Sequence, residues 1–518
     1  LIGEGADVGG GLRERSLKRL ASEVFDLLVI GGGIVGCRTA YEAARAGLRV
    51  ALVDAGDFAG ATSGSSARLV HGGLRYLRRG ELRLVRAASR ERNALCSRIA
   101  PHLVRPLPFV AASGGGFVRG AELVAGLSLY AALGGSGWPV PRPVTKRGAG
   151  MLVPPLLTAG VVPRAVFYEA SADDGRLTLV TAKAAARSGA AVANYLRVDA
   201  LSLVPGGVSR VLVSGYDAEI EVQTRAVVNA TGPWLDGLRR QEDAGCEPLT
   251  RLSKGVHLVL DTREAWTAAV AVSLEDGGHL YAVPCDGPIL LGTTDDEYVE
   301  DPGDLTVLPG DVASLLDKAT AILPKTMTDP RAVLFAYAGL RVLPMGNGVT
   351  AAAPRGHLLG VGRGGMVSVG GGKLTTHRAI ALDVLRRLPP EVRPRRLRPD
   401  FTPLPGGSQR CPGLHEDPVR RHLLRVYGSE AGDVISGAAG SPDGLEPIAP
   451  GGPDVWAQVH YAAREEWAVT VEDVVRRRTS LALRGLDSPQ VREVISALLQ
   501  SGRGPSSAGP RLSSANRS

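Results

Sequence analysis

The stretch from Val24 to Val53 constrains this chain more than any other. An apolar run, Val24 to Ile30, enters Gly31-Gly32-Gly33-Ile34-Val35-Gly36. A helix-forming segment continues to Ala46, Gly47 ends it, and Leu48 to Val53 is apolar again. Strand, glycine turn, amphipathic helix and strand make a βαβ unit. Gly31, Gly33 and Gly36 satisfy the GxGxxG spacing, with Ile34 opening the helix. The first glycine allows a tight turn and the second lets a pyrophosphate approach the backbone. The third lets the helix pack closely, with its N-terminus facing the phosphates. Asp54 ends the second strand, 18 residues after Gly36, where a carboxylate accepts ribose hydroxyls. The motif predicts a bound dinucleotide and does not separate NAD from FAD.

A chain of 518 residues accommodates two or three domains. Its net charge of +8 and pI near 9.4 point to an anionic partner: a phosphorylated substrate, an acidic membrane surface or nucleic acid. Arginine is abundant throughout, so composition bias accounts for part of that charge. Aromatics make up only 4% of the residues, with no recognition module or interleaved aromatic stripe, so no nucleic acid is expected. The five cysteines contain no CxxC pair. This argues against a disulfide framework, a zinc site or an iron–sulfur cluster and fits a reducing compartment. No metal is expected. No run reaches the roughly 18 apolar residues of a spanning helix, so any membrane contact should be peripheral.

Short strands alternate with polar turns through the middle of the chain, as at Val208 to Val213 and Ile289 to Leu291. Six prolines crowd residues 389–405, and helical patterning follows. Thr470 and Asp473 sit at capping-box spacing, and Ser488-Pro489 suits an N-cap and first helical position. Residues 1–21 lack the pattern of a secretory signal and, like 501–518, are expected to be disordered.

Beyond Asp54 runs Gly60-Ala61-Thr62-Ser63-Gly64-Ser65-Ser66-Ala67-Arg68-Leu69-Val70-His71-Gly72-Gly73-Leu74-Arg75-Tyr76. This segment resembles the aerobic, FAD-dependent glycerol-3-phosphate dehydrogenases, within the D-amino-acid-oxidase-like flavoproteins. Further blocks match in order: Val227-Val228-Asn229-Ala230-Thr231-Gly232-Pro233-Trp234, Lys254-Gly255-Val256-His257, Gly292-Thr293-Thr294-Asp295, Tyr337-Ala338-Gly339-Leu340-Arg341 and Gly370-Gly371-Gly372-Lys373-Leu374-Thr375-Thr376. Glu465-Glu466-Trp467 and Arg476-Arg477-Arg478-Thr479 are similar to the family's C-terminal domain. Two positions depart from the pattern: Arg68, where relatives often carry lysine, and Gly175, where alanine is common.

The resemblance implies an α/β (α+β) fold with three parts. A Rossmann-like FAD-binding domain is expected from residues 22–76, 164–236 and 336–388. A mixed-sheet substrate domain is expected from 77–163 and 237–335. A linker at 389–402 leads to a small all-α C-terminal domain at 403–500. It also implies FAD contacts at Thr62, Ser63, Ser65, His71, Gly72, Gly73, Leu74, Val198, Ala230, Thr231, Gly232, Trp234, Gly339, Arg341, Gly371, Gly372, Lys373, Leu374 and Thr375. The residue chemistry is compatible: hydroxyls suit a pyrophosphate or flavin edge, and glycines let backbone approach a flat ring.

Oxidising glycerol 3-phosphate to dihydroxyacetone phosphate needs cations for the phosphate and a base for the hydroxyl proton. Arginine suits the first task because its planar fork binds phosphate oxygens bidentately. The candidates are Arg75, Arg341, Arg355 and Lys373, with Lys254 in a matching block. For Arg355 a plain surface charge remains an equal reading. Tyr76 either bonds substrate or packs. His71, similar to the family's flavin-proximal histidine, is the candidate general base. Arg341 would be its electrostatic partner. His257 is secondary, orienting substrate or only structural.

By resemblance the electrons pass to a membrane quinone, and the protein is cytoplasmic, peripheral to the inner face of the cell membrane. Eight arginines between residues 78 and 105, beside the apolar Phe117 to Tyr130, are compatible with an anionic membrane surface. A solvated helix followed by a buried one is the alternative. A homodimer is a candidate assembly, and a soluble oxidase forming hydrogen peroxide is the rival activity.

Overall fold

Asp26 splits the first apolar run into two strands that serve different sheets. Its N–H donates to the Arg49 carbonyl, and its carboxylate accepts the Arg49 N–H at 2.9 Å. Val24–Phe25 pairs with Glu219–Thr224 in a four-stranded sheet, while Leu27–Ile30 enters a six-stranded one. The computed structural model describes residues 11–501 apart from 78–79, 114–116, 136, 217, 263, 274–278, 347–349, 351–355, 399, 409–416 and 438–443, and the side chains of 75, 76, 113, 117–120, 273 and 501.

The six-stranded sheet runs His357–Val361, Val367–Gly371, Val227–Asn229, Leu27–Ile30, Val50–Val53, Ala191–Ala193. All of its pairings are parallel except the first. Leu27–Ile30 and Val50–Val53 are buried at every residue, as strands covered on both faces must be. Helix Ile34–Arg45 packs against Asp174–Arg187 and His377–Arg387 on one face.

The second large sheet has ten strands and is mixed. Ala269–Ser273 and Val104–Ser113 pair in parallel, and its other pairings are antiparallel. Two boundaries expected from the sequence, 163/164 and 335/336, fall inside its strands Val162–Ala172 and Val333–Pro344. Each strand pairs along its length with a long neighbour, Val104–Ser113 and Thr250–Leu260 respectively, across a single register shift, and the ladder keeps it in one sheet.

Part of the expected N-terminal extension is also ordered. Leu12–Ser22 is a helix whose Leu20 is fully buried, and its Ser16 Oγ accepts the Val192 N–H at 3.1 Å. The apolar spacing of Leu17 and Leu20 drives this packing against the edge of the parallel sheet. Residues 1–10 and 502–518 lie outside the described set.

The proline-rich segment is a strap rather than a free tether. Val392 is buried, Phe401 lies under the Arg378 guanidinium at 4.5 Å, and Asp400 pairs with Arg45 at 2.7 Å. Helices Pro418–Tyr427, Ala431–Gly437, Trp456–Glu465 and Pro489–Ser501 follow. The Thr470/Asp473 capping box forms as its spacing predicts, and Ser488 Oγ accepts the Val491 N–H at 3.3 Å. Buried ion pairs, Arg176–Glu466 at 2.7 Å and Lys183–Glu430 at 2.8 Å, fasten these helices to Asp174–Arg187. Removing one partner of such a pair costs about 3–5 kcal/mol, because the other charge stays buried.

Candidate active site

The C-terminal ends of the parallel strands open into a cavity of about 1680 Å³ that extends to the ten-stranded sheet. It exceeds the roughly 300–1,000 Å³ of a drug-sized ligand site. One wall is the glycine turn. A Cβ on Gly31 would stand 2.5 Å from the Ala230 carbonyl oxygen, so the turn lies directly on Ala230-Thr231. A Cβ on Gly36 would stand 1.9 Å from the Gly31 oxygen, which is the close packing expected of the third glycine. Gly33 precedes helix Ile34–Arg45, and the Ser63 hydroxyl accepts the Ile34 N–H at 2.9 Å. Asp54 accepts N–H groups from Gly32 at 2.5 Å and Gly56 at 2.7 Å. Burial pushes its carboxyl up to about 6, against the pull of those two N–H groups.

The opposite wall is made by register. Strand pairing sets Ser253 across from Arg341 and Gly255 across from Gly339. The Arg341 guanidinium lies over Gly255, where any Cβ would come within 2.4 Å of it. It donates to Thr293 Oγ1 at 2.8 Å and the Thr294 carbonyl at 2.9 Å, and it faces Asp295 at 3.5 Å. His71 is held by its backbone: its N–H donates to Thr375 Oγ1, and that hydroxyl donates to the His71 carbonyl, both at 3.1 Å. Lys373 precedes the turn Leu374–Thr376 that leads into helix His377–Arg387.

The structure brings most of the expected residues onto one surface. Gly31, Gly33, Ile34, Asp54, Thr62 and Ser63 line the cavity, as do His71, Leu74, Val198, Ala230, Thr231, Gly232 and Trp234. Arg341, Gly371, Gly372, Lys373, Leu374 and Thr375 complete this set. Gly36, Ser65, Gly72, Gly73 and Gly339 are not among the residues that line the cavity. Gly339, for example, lies against Ser65, whose oxygen an added Cβ would meet at 2.5 Å.

Two expected substrate residues are not on the wall. Lys254 pairs with Asp311 at 2.7 Å. His257 is buried and stacked on Tyr337 with ring centroids 5.1 Å apart, and neither ring nitrogen has a hydrogen-bond partner. Burial, then the nearby Arg341 charge, lowers its pKa to about 3, which keeps the ring neutral. The side chains of Arg75 and Tyr76, and all of Arg355, lie outside the described residues.

Sequence reasoning missed Glu169, which lines the cavity from strand Val162–Ala172. Its carboxylate accepts the Gly72 N–H at 3.1 Å, Arg92 Nη1 at 2.7 Å and Tyr130 Oη at 2.6 Å. This network fixes the turn that carries His71. The available signal was one acid within the run Val166-Phe167-Tyr168-Glu169-Ala170. His279, Lys318 and Arg477 also reach the cavity and were not singled out as site residues.

Comparison with known proteins decides the cofactor class. The family model described as FAD dependent oxidoreductase matches residues 26–378. The chain belongs to the FAD-dependent oxidoreductase family. A second model, described as the C-terminal domain of alpha-glycerophosphate oxidase, matches residues 395–502 of this flavoprotein. The chain is 36% identical over 521 aligned residues to glycerol-3-phosphate dehydrogenase 2 of Mycobacterium tuberculosis H37Rv, covering 95% of this chain and 88% of that one. It is 30% identical to a glycerol-3-phosphate dehydrogenase of Synechocystis, covering 90% and 91%. The fold is similar to that of the Bacillus halodurans glycerol-3-phosphate dehydrogenase solved with FAD, at TM-score 0.72 and 24% identity over 95% and 97% of the two chains.

The residues present fit FAD. The turn lines the cavity with Gly31 and Gly33, which carry no side chain, and Asp54 stands at the end of the second strand. Glycines at positive φ, Gly371 at 71° and Gly372 at 86°, bring backbone to the far wall. Gly31, Gly33 and Ser63 would hold the pyrophosphate, Asp54 the ribose, and the Gly371–Thr375 segment the ring.

Proposed function

We propose that this flavoprotein oxidises sn-glycerol 3-phosphate to dihydroxyacetone phosphate and passes the electrons to a membrane quinone. The observation that carries the reading is the Arg341 guanidinium, laid over Gly255 and lining the same cavity as Lys373 and His71. The names of the curated relatives point to the same substrate.

Bound FAD supplies the two-electron acceptor. Arg341 and Lys373 bind and orient the phosphate dianion, with Thr293 and Thr294 setting the plane of the guanidinium. A fixed fork in a recess binds two phosphate oxygens with little reorganisation. His71 takes the proton of the substrate hydroxyl. The Thr375 and Glu169 bonds hold its turn so that the ring keeps one position toward the cavity. Arg75, Tyr76 and Arg355 are further substrate contacts in this reading.

Delivery to a membrane is supported by the surface beyond that turn. Helix Leu82–Ala94 exposes Leu82 and Leu84 among Arg83, Arg86 and Arg90, and it packs against helix Phe117–Gly134. Apolar side chains set among arginines suit shallow contact with anionic lipid. No helix among the described residues is long and apolar enough to cross a membrane. The cytoplasmic face of the cell membrane is the location this reading assigns.

The test is anaerobic flavin bleaching. Glycerol 3-phosphate should bleach the bound flavin and unphosphorylated glycerol should not; a flavin that stays oxidised sinks the substrate. The C-terminal match to an oxidase domain keeps a hydrogen-peroxide-forming oxidase as the second reading. Turnover with a soluble quinone and little oxygen uptake favours the dehydrogenase, and stoichiometric peroxide favours the oxidase.

A further inference from the structure

Among the described residues lining the cavity, one comes from the C-terminal helical region: Arg477. It stands at the end shared by Asp54, Gly56, Asp57 and Tyr195. That end poses an electrostatic problem. Asp54 and Asp57 are two acids within one turn, and a dinucleotide brings a negatively charged pyrophosphate toward them.

The compensating charge arrives from more than 400 positions along the chain. Asp57 is buried, and Arg477 Nε donates to its Oδ2 at 2.5 Å. Arg478 Nη2 donates to Asp57 Oδ1 at 2.8 Å, and its Nη1 donates to Oδ2. The two arginines differ. Arg478 is wholly buried and also donates to the Glu466 carbonyl at 2.6 Å, which makes it a fastening between domains. Arg477 keeps an edge on the cavity, and its Nη2 donates to Asp473 Oδ1 at 2.8 Å. Asp473 also accepts the Tyr195 hydroxyl at 2.6 Å, so a second cavity residue is held from the same helical region. Asn194 closes the cluster by donating to Asp57 at 3.1 Å and to the Trp467 carbonyl at 2.8 Å.

We propose that the C-terminal helical domain completes the FAD site, with Arg477 holding Asp57 and supplying a cation where the adenosine diphosphate half of FAD lies. Retention of the cofactor then depends on a residue outside the segment matched as FAD oxidoreductase. The inference rests on Asp54 marking the ribose end and is independent of the substrate.

Cofactor binding to the full-length protein tests it. Apoprotein is titrated with FAD and, separately, with ADP, which carries the diphosphate half alone. Arg477→Ala should raise both dissociation constants about tenfold or more, the scale of one charge-assisted contact. Arg477→Lys should recover part of that loss by keeping the charge. Arg492→Ala is the control: it removes an arginine paired with Glu472 and Asp487 in the same domain, away from the cavity. It should leave both constants within twofold of the parent. The proposal is overturned if Arg477→Ala binds ADP as the parent does, or if Arg492→Ala weakens ADP equally. A lowered unfolding temperature with unchanged ADP affinity would also overturn it, leaving Arg477 a docking residue only. Should Arg477→Ala fail to fold, Arg477→Lys with unchanged affinity supports the charge, and with a full tenfold loss it overturns the proposal.

Discussion

The two walls of the cavity are built on opposite principles. The wall at the glycine turn is local: strand Leu27–Ile30, its turn and helix Ile34–Arg45 form one continuous run of chain, and Asp54 follows the next strand. The wall proposed to take the substrate is assembled from strands distant in sequence, with Arg341 held between Ser253, Thr293 and Thr294. A local site tolerates almost no change of backbone shape. A registered site tolerates sequence change wherever the ladder survives, and it fails when a single charged group is lost.

The largest effect should come from the local wall. Gly36→Val puts side-chain atoms into the Gly31 carbonyl, where even a Cβ would be 1.9 Å away. Flavin content per chain should fall to near zero; a variant purified with full flavin would break the contrast. Next comes Arg341→Ala. Flavin content should be unchanged while kcat/KM for glycerol 3-phosphate falls about a thousandfold, or ~4 kcal/mol, as when a fixed charged donor leaves a dry site. Arg341→Lys should recover little, since a point charge lacks the fork. Loss of flavin in Arg341→Ala would show that the two walls are not separable.

Acid should weaken both halves. His257 in the ten-stranded sheet and His377 at the start of helix His377–Arg387 are buried and neutral, each pushed to about 3 by desolvation. Their folded pKa values lie below the unfolded value near 6.5, so the unfolded chain binds more protons as pH falls. Stability should therefore be unaffected above about pH 6.5 and lost progressively below it, by up to about 2 kcal/mol per histidine near pH 5. Unfolding temperature measured across that window checks the sign; His257→Gln should flatten its share of the slope. The smallest effect is Gly175→Ala. The added Cβ meets only Arg477 Cγ and Asp173 Oδ1, both at 3.8 Å, so helix Asp174–Arg187 should gain about 0.5–1 kcal/mol. Destabilisation there would mean that this helix sits tighter against the C-terminal region than its contacts show.

The same contrast explains what was legible in the sequence. The glycine turn and the Thr470/Asp473 capping box are short-range patterns, and both take the geometry their spacing predicts. Glu169 and Arg477 were not legible as site residues. Each acts on a partner far along the chain, Gly72 and Asp57 respectively, and nothing in the neighbouring residues encodes that meeting. His257 was left between orienting substrate and a structural role for the same reason. Its position in a matching block was visible, whereas its burial against Tyr337 depends on the strand pairing that sets the two side by side. The helix Leu12–Ser22 was hidden because its apolar face is narrow and its partners lie on strands Ala191–Ala193 and Glu219–Thr224.

By itself the sequence determined a dinucleotide-binding βαβ unit, the C-terminal helical region and the residue types needed for an anionic substrate, because backbone sterics and periodicity act over a few neighbours. Only the tertiary structure decided which cations share the cavity, that the proline-rich segment is a packed strap, and that the C-terminal helices reach the Asp54 end of the site. Charges and strand partners separated by hundreds of residues are brought together by packing, and packing is a property of the whole chain.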